Sequence, residues 1–338
     1  MRRLLNILYA LIGIAAVTAA GIAYYLFAGF TGPGPLTEDK TLVIPKGAGV
    51  AEISALLRSE GVIADVDILR LIADIDIFRL GVRLFSDHKP LLAGEYVFPK
   101  AVSASAAMGI LIAGKSITHR LAIPEGLTVR EVLELVSSEP LLDGPLPPDK
   151  PAEGALLPET YQFLRGESRV SIVERMREDM TSALAREWPK RDPNLPLKTP
   201  AEAVALASIV EKETSRADER ARVAGVFYNR LKKGMPLQSD PTVIFAITLG
   251  KLKLKRGVTY DDLKIDSPYN TYLVKGLPPG PIANPGLAAL QAVLRPMSHK
   301  ELYFVADGTG GHAFAETIDQ HNKNVANWRK VQKAQQTQ

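Results

Sequence analysis

The chain contains no cysteine. Disulfides and thiolate metal sites are therefore excluded, and thiol usage says nothing about the compartment. Histidine is scarce. His88, His119, His299, His312 and His321 show no HExxH or other tight ligand spacing, so no metal site is expected. No GxSxG nucleophile elbow occurs. The glycine-rich GTGGH, 308–312, lacks a Walker lysine and follows LYFVAD, which makes it a hairpin turn. No basic array with aromatics points to nucleic acid. The charge balance excludes little. A net charge of +4 over 338 residues suits an anionic polymer, a membrane surface or solvation alone.

Long apolar runs are also missing, with one exception. Residues 4–28, LLNILYALIGIAAVTAAGIAYYLFA, carry no charge. At about 1.5 Å per residue this run exceeds the roughly 30 Å hydrocarbon core of a bilayer. Arg2 and Arg3 precede it and hold the N-terminus in the cytoplasm by the positive-inside rule. Tyr24 and Tyr25 fall near the outer interface. The small residues of AVTAAG suggest a cleaved signal peptide as the alternative, but such an apolar region normally has about 7–15 residues. The expectation is a single-pass anchor in the cytoplasmic (inner) membrane. The body then lies outside the cytoplasm, in a periplasm or another extracytoplasmic space.

What remains has globular composition, 46% hydrophobic and 23% charged. Residues 1–30 form the N-terminus and membrane helix, and TGPGPLTE opens a linker over 31–40. TLVIPKGAG reads as strand and turn. GVAEISALLRSEGVI carries a helical stripe of Ile53, Leu56 and Leu57, and DVDILRLIADIDIF (65–78) reads as a second amphipathic helix. AGEYVFPK is a strand. SASAAMGILIAGK is a helix with Ser103 as N-cap and Gly114 as stop. ITHRLAIPEGLTVREVLELV repeats the strand–turn–helix theme, with Thr128 and Glu131 as a capping box. These pieces make an N-terminal α+β module over 41–138. A proline-rich boundary, 139–156, leads into a mixed α+β domain over 157–330, and 331–338 reads as a polar tail.

ASIVEKETSRADER, 207–220, places two glutamates behind an apolar run. Pro200 suits the first turn of this helix. At about 100° per residue, Glu211 and Glu213 lie about 160° apart. Glu213 falls within the stripe formed by Ala203, Leu206, Ile209 and Val210. Glu211 and Lys212 point toward solvent or a second surface, and Val204 spoils the pattern. A carboxyl ending an apolar stripe is partly desolvated, which raises its pKa toward that of a general acid. The plainer alternative pairs Glu213 with Arg216 or Arg220.

Amides and aromatics of the kind that line sugar clefts follow. They are Tyr228, Asn229, Arg230 and Gln238, then Tyr269, Asn270 and Tyr272. Loop packing explains the tyrosines equally well, and helix-end contacts explain Asn229 and Arg230. Asp240 in DPT is either an N-cap before Pro241 or a second catalytic carboxylate.

Together ASIVEKET, VFYNRL, GMPLQSDPTV, YNTYLVKGLPPGPIANPG and LYFVADGTGGHAF resemble the membrane-anchored endolytic murein transglycosylases of the YceG-like family, in that family's order. The resemblance covers the chain from Met1 to about Trp328. It implies a LysM-like module in the N-terminal half and a lytic transglycosylase domain after it. The family's catalytic glutamate falls on Glu213, with Glu211 as runner-up. Glu213–Thr214 resembles the Glu–Ser pair of other lytic transglycosylases. The implied reaction cuts the β-1,4 bond between N-acetylmuramic acid and N-acetylglucosamine and leaves 1,6-anhydro ends. No cofactor is implied. The implied partners are peptidoglycan glycan strands, cell-wall synthases and elongation proteins.

Overall fold

The computed structural model describes residues 2–64 and 76–336. The chain forms two compact units, Met1–His119 and Arg120–Gln338.

In the first unit, helix α1 (Arg2–Thr31) is about 45 Å long at 1.5 Å per residue. It is long and apolar enough to cross a membrane. Its two threonines hide their hydroxyls, Thr18 Oγ1 donating to Ile14 O and Thr31 Oγ1 to Phe27 O. Near its end Phe30 is buried and stacks on Phe85. Strand β1 (Lys40–Ile44) pairs antiparallel with β2 (Gly94–Phe98), Leu42 opposite Tyr96. Helices α2 (Val50–Ser59), α3 (Ile77–Phe85) and α4 (Ala104–Ala113) pack a core of Ile44, Ile53, Leu57, Phe78, Phe98 and Leu111. Ser103 caps α4 and Gly114 ends it in the left-handed conformation, as the sequence predicts. The helix expected over 65–78 lies outside the described residues except at its end. There Asp76 caps α3, a helix the sequence pattern did not reveal.

The second unit begins within β3 (Thr118–Ala122), which pairs with β4 (Thr160–Leu164). Helix α5 (Val129–Ser138) carries the expected Thr128–Glu131 capping box. It shares a core with α6 (Arg169–Glu187) through Val132, Val136, Ile172 and Met176. The second strand–turn–helix unit is therefore part of the C-terminal body, not of an N-terminal module ending at 138. The proline-rich stretch lies inside that body because Leu142 and Leu156 are buried in the same core. Its prolines mark loop, and its leucines anchor the loop.

Four helices form the centre of this unit: α7 (Pro200–Glu213), α8 (Arg220–Lys232), α9 (Asp240–Thr248) and α10 (Leu287–Leu294). A capping box of Thr199 and Glu202 starts α7, with Pro200 in its first turn. Helices α8 and α10 pack on α7, and every residue from Ala203 to Val210 is buried. A helix covered all round needs small and apolar residues on every face, which is why Val204 broke the expected stripe. The hairpin β5 (Tyr303–Ala306) and β6 (His312–Ala315) turns at the glycine-rich segment, as expected. Helix α11 (Ile318–Gln336) follows and takes in the described part of the segment read as a polar tail.

Asn284 is fully buried in the loop before α10. Its Nδ2 donates to Leu127 O, and its Oδ1 accepts from Leu156 N. One amide thus joins three loops. We expect Asn284→Ala to cost about 1–3 kcal/mol, because buried groups lose their partners. A denaturant midpoint unchanged from wild type would refute that role.

Candidate active site

Helix α7 ends at Glu213, where Thr214 turns extended and the chain leaves the core. Glu213 is half-buried and faces a cleft of about 460 Å³. Arg230, Gln238, Asp240, Tyr272, Tyr303 and His321 share that cleft. A second hollow of about 320 Å³ opens on Glu213, lined by Thr214, Ser215, the turn glycines Gly308, Gly310 and Gly311, and Trp328. His312 lines both.

Glu213 pairs with neither arginine proposed for it. Arg216 engages Asp218 and Glu219. Arg220 lies between Glu125 and Glu211. Instead Ser239 Oγ donates to Glu213 Oε1 at 2.5 Å, which leaves Oε2 as the oxygen able to carry a proton. Burial raises the Glu213 pKa most. The Ser239 bond lowers it, the Asp240 charge raises it, and His312 and Arg230 lower it. The result is a carboxyl pushed from 4.5 up to about 7.

Glu211 is also raised by burial, but it does not line the cleft. It accepts from Gly286 N at 2.9 Å and lies 3.6 Å from Arg220. Only about 5% of its side chain is exposed, so its second surface is an internal one.

The other expected site residues divide. Arg230 is buried, donates to Leu302 O and Leu237 O, and lines the cleft. Gln238 is held at φ 51° by its N–H bond to Thr271 O. Such a backbone is uncommon outside glycine, and it sets this side chain in the cleft. Asp240 is not an N-cap. It lies in the first turn of α9, after Ser239, and accepts from Tyr272 Oη at 2.6 Å. Burial, reinforced by Asp240, raises the Tyr272 phenol, which stays a donor. Thr214 lines the second hollow and bonds Glu219.

Three expected residues are elsewhere. Asn229 donates to His299 O and Glu301 O. Tyr269 packs on Phe245. Asn270 is buried, donating to Leu263 O and Ile265 O. All three brace loops, as an amide or aromatic does wherever backbone groups need partners.

Sequence reasoning missed Ser239, Glu219, Tyr303, His312, His321 and Trp328. His312 was set aside as a metal ligand and read as the end of the GTGGH hairpin turn. Its Nδ1 and backbone N are both held by Glu219, at 2.7 Å and 3.0 Å. Ser239 had a signal, since it stands between Gln238 and Asp240, but nothing local says that it reaches Glu213.

The sequence model of the YceG-like family matches residues 42–327. The chain belongs to the YceG-like family. The endolytic murein transglycosylase of Bacillus subtilis (strain 168) is 40% identical over 173 residues, 51% of this chain and 47% of the relative. That of Streptococcus pneumoniae serotype 2 (strain D39) is 30% identical over 332 residues, 85% of this chain and 58% of the relative. The matches thus span about half of these curated relatives' length. The crystal structure of a YceG-like protein from Listeria monocytogenes is similar to this chain with a TM-score of 0.51 and 32% identity. It covers 85% of this chain and 99% of that one.

Two outcomes follow for this YceG-like protein. Because the folded pKa of Glu213 exceeds its unfolded value, its charge costs stability as pH rises from about 4.5 to about 7. Glu213→Gln removes that cost and should be more stable than wild type by about 1–3 kcal/mol at pH 8 but not at pH 4. Equal unfolding midpoints at both pH values would contradict the desolvated carboxyl. Ser239→Ala deletes a bond that favours the carboxylate, so the Glu213 titration should move upward. A downward move in carboxyl NMR would reverse that assignment.

Proposed function

We propose that this chain is a lytic transglycosylase of murein glycan strands, anchored by α1. The observation that carries the reading is the protonatable Glu213 at the junction of two hollows, in a cleft rimmed by amide, phenol and guanidinium groups. A carboxyl with a pKa near neutrality is suited to general acid catalysis.

Glu213 donates its proton to the glycosidic oxygen as the C1–O bond breaks. Positive charge develops at C1 of the muramoyl sugar. The C6 hydroxyl oxygen of that sugar bonds to C1, and its proton passes to the Glu213 carboxylate. The acid is restored, no water is consumed, and a 1,6-anhydro end results. One carboxyl acts as acid and then base, whereas hydrolysis by water generally uses two carboxylates. The engagement of Asp240 by Tyr272 supports the one-carboxyl scheme. Asp240 also favours a second reading, since it shares the cleft: a hydrolase in which it activates water.

Arg2 and Arg3 hold the N-terminus in the cytoplasm, so the second unit works outside the membrane, where new strands emerge. Cuts within those strands set their length. The first unit acts as the LysM-like holder of the strand, and wall synthases and elongation proteins are the partners this location favours.

The test is mass spectrometry of glycan strands digested by the full chain in detergent. Wild type should give anhydro ends, and Glu213→Gln should lose at least about 100-fold in rate. Hydrated reducing ends, lost also in Asp240→Asn, would establish the hydrolase. Absence of cleavage would leave a binding scaffold. The wild-type kcat/KM should fall as pH rises through about 7, as the acid ionises. A rate that climbs through that range would count against Glu213 as the acid.

A further inference from the structure

Helix α11 takes no part in the scheme above, yet it lines both hollows. His321 lies in the cleft with Tyr303 and Arg230, and Trp328 lies in the hollow with Ser215 and the turn glycines. The two are seven residues apart, so they fall on one face of the helix, about 10 Å apart along its axis. That separation suits successive rings of a sugar strand better than one ring. Glu213 lines both hollows, at their junction.

His321 Nδ1 is buried with no hydrogen-bond partner among the described residues, although its ring stacks on Tyr303 at 5.2 Å. An atom so enclosed is out of a sugar's reach, so Nε2, the other nitrogen of this cleft-lining ring, is the one that meets a sugar. Trp328 is half-buried and gives its exposed part to the hollow. The hollow, about 320 Å³, is at the small end of the range of about 300–1,000 Å³ for ligand pockets, room for a single ring. The turn is pressed against α11, because a Cβ on Gly308 would meet Val331 Cγ1 at 2.5 Å. That contact fixes the tryptophan relative to the hollow's backbone wall. An indole face offers apolar area to the C–H face of a sugar at low entropic cost.

We propose that α11 is one wall of a glycan channel passing Glu213, with Trp328 stacking on an N-acetylated sugar in one half and His321 hydrogen-bonding a sugar in the other. The proposal rests on the transglycosylase reading and adds the residues that hold the strand on both sides of the cut.

The chain carries its own reporter. It has two tryptophans, and Trp188 lies under Arg191 at 4.1 Å, outside both hollows. Full-length Glu213→Gln with Trp188→Phe leaves Trp328 as the single indole. It is titrated, in detergent, with peptide-free glycan oligomers of alternating N-acetylglucosamine and N-acetylmuramic acid. The Trp328 emission should shift and saturate at the Kd that calorimetry gives. In the Glu213→Gln background, Trp328→Ala should weaken binding on the order of tenfold. Trp328→Phe should recover most of that loss. His321→Phe keeps the stacking and removes the nitrogens, and it should weaken binding while the emission shift persists. Glycan binding with unchanged Trp328 emission, and a Kd in these variants equal to that of their Glu213→Gln parent, would overturn the proposal while sparing the transglycosylase reading. No binding of glycan of any length would overturn both.

Discussion

Burial and the Ser239 hydrogen bond act in opposite directions on the Glu213 carboxyl, and burial wins. The chemistry of the second unit depends on that balance. A carboxyl fully in water is ionised at neutral pH and has no proton to give. One sealed in the core could give it to nothing. Glu213 escapes both because it is the last residue of a helix whose preceding turns are buried, and because the cleft begins where the helix stops.

The surrounding architecture holds that compromise in place. The capping box and Pro200 start α7 firmly, and α8 and α10 cover it, so its C-terminal end has little freedom. Ser239 reaches Glu213 from the start of α9, and its own position depends on the Thr271 and Thr242 hydroxyls behind it. Glu219 fixes His312, which lines both hollows, and so places an imidazole near the acid without a direct bond to it. The β5–β6 hairpin and α11 close the far side.

Much of this was legible in the sequence, for identifiable reasons. Caps at Ser103 and Thr128, and Pro200 in the first turn of α7, are local patterns read within four residues. The sequence favours Glu213 over Glu211 by angular position together with the family resemblance; angle alone does not separate them, because α7 is buried on every face and Glu211 is itself enclosed. The domain boundary was obscured because proline reports loop without reporting what the loop packs on. Asn229, Tyr269 and Asn270 share residue types with a sugar site but brace loops. Ser239, His312, His321 and Trp328 reach the site from far along the chain, and no spacing encodes such meetings.

The account's central claim is that Glu213 holds a proton near neutrality. Carbon-13 NMR of side-chain carboxyls, with the Glu213→Gln spectrum subtracted to assign the signal, measures it directly. An inflection near pH 7 is the predicted result. An inflection at or below 4.5 would mean that the cleft hydrates this carboxyl as water does, and it would contradict the account.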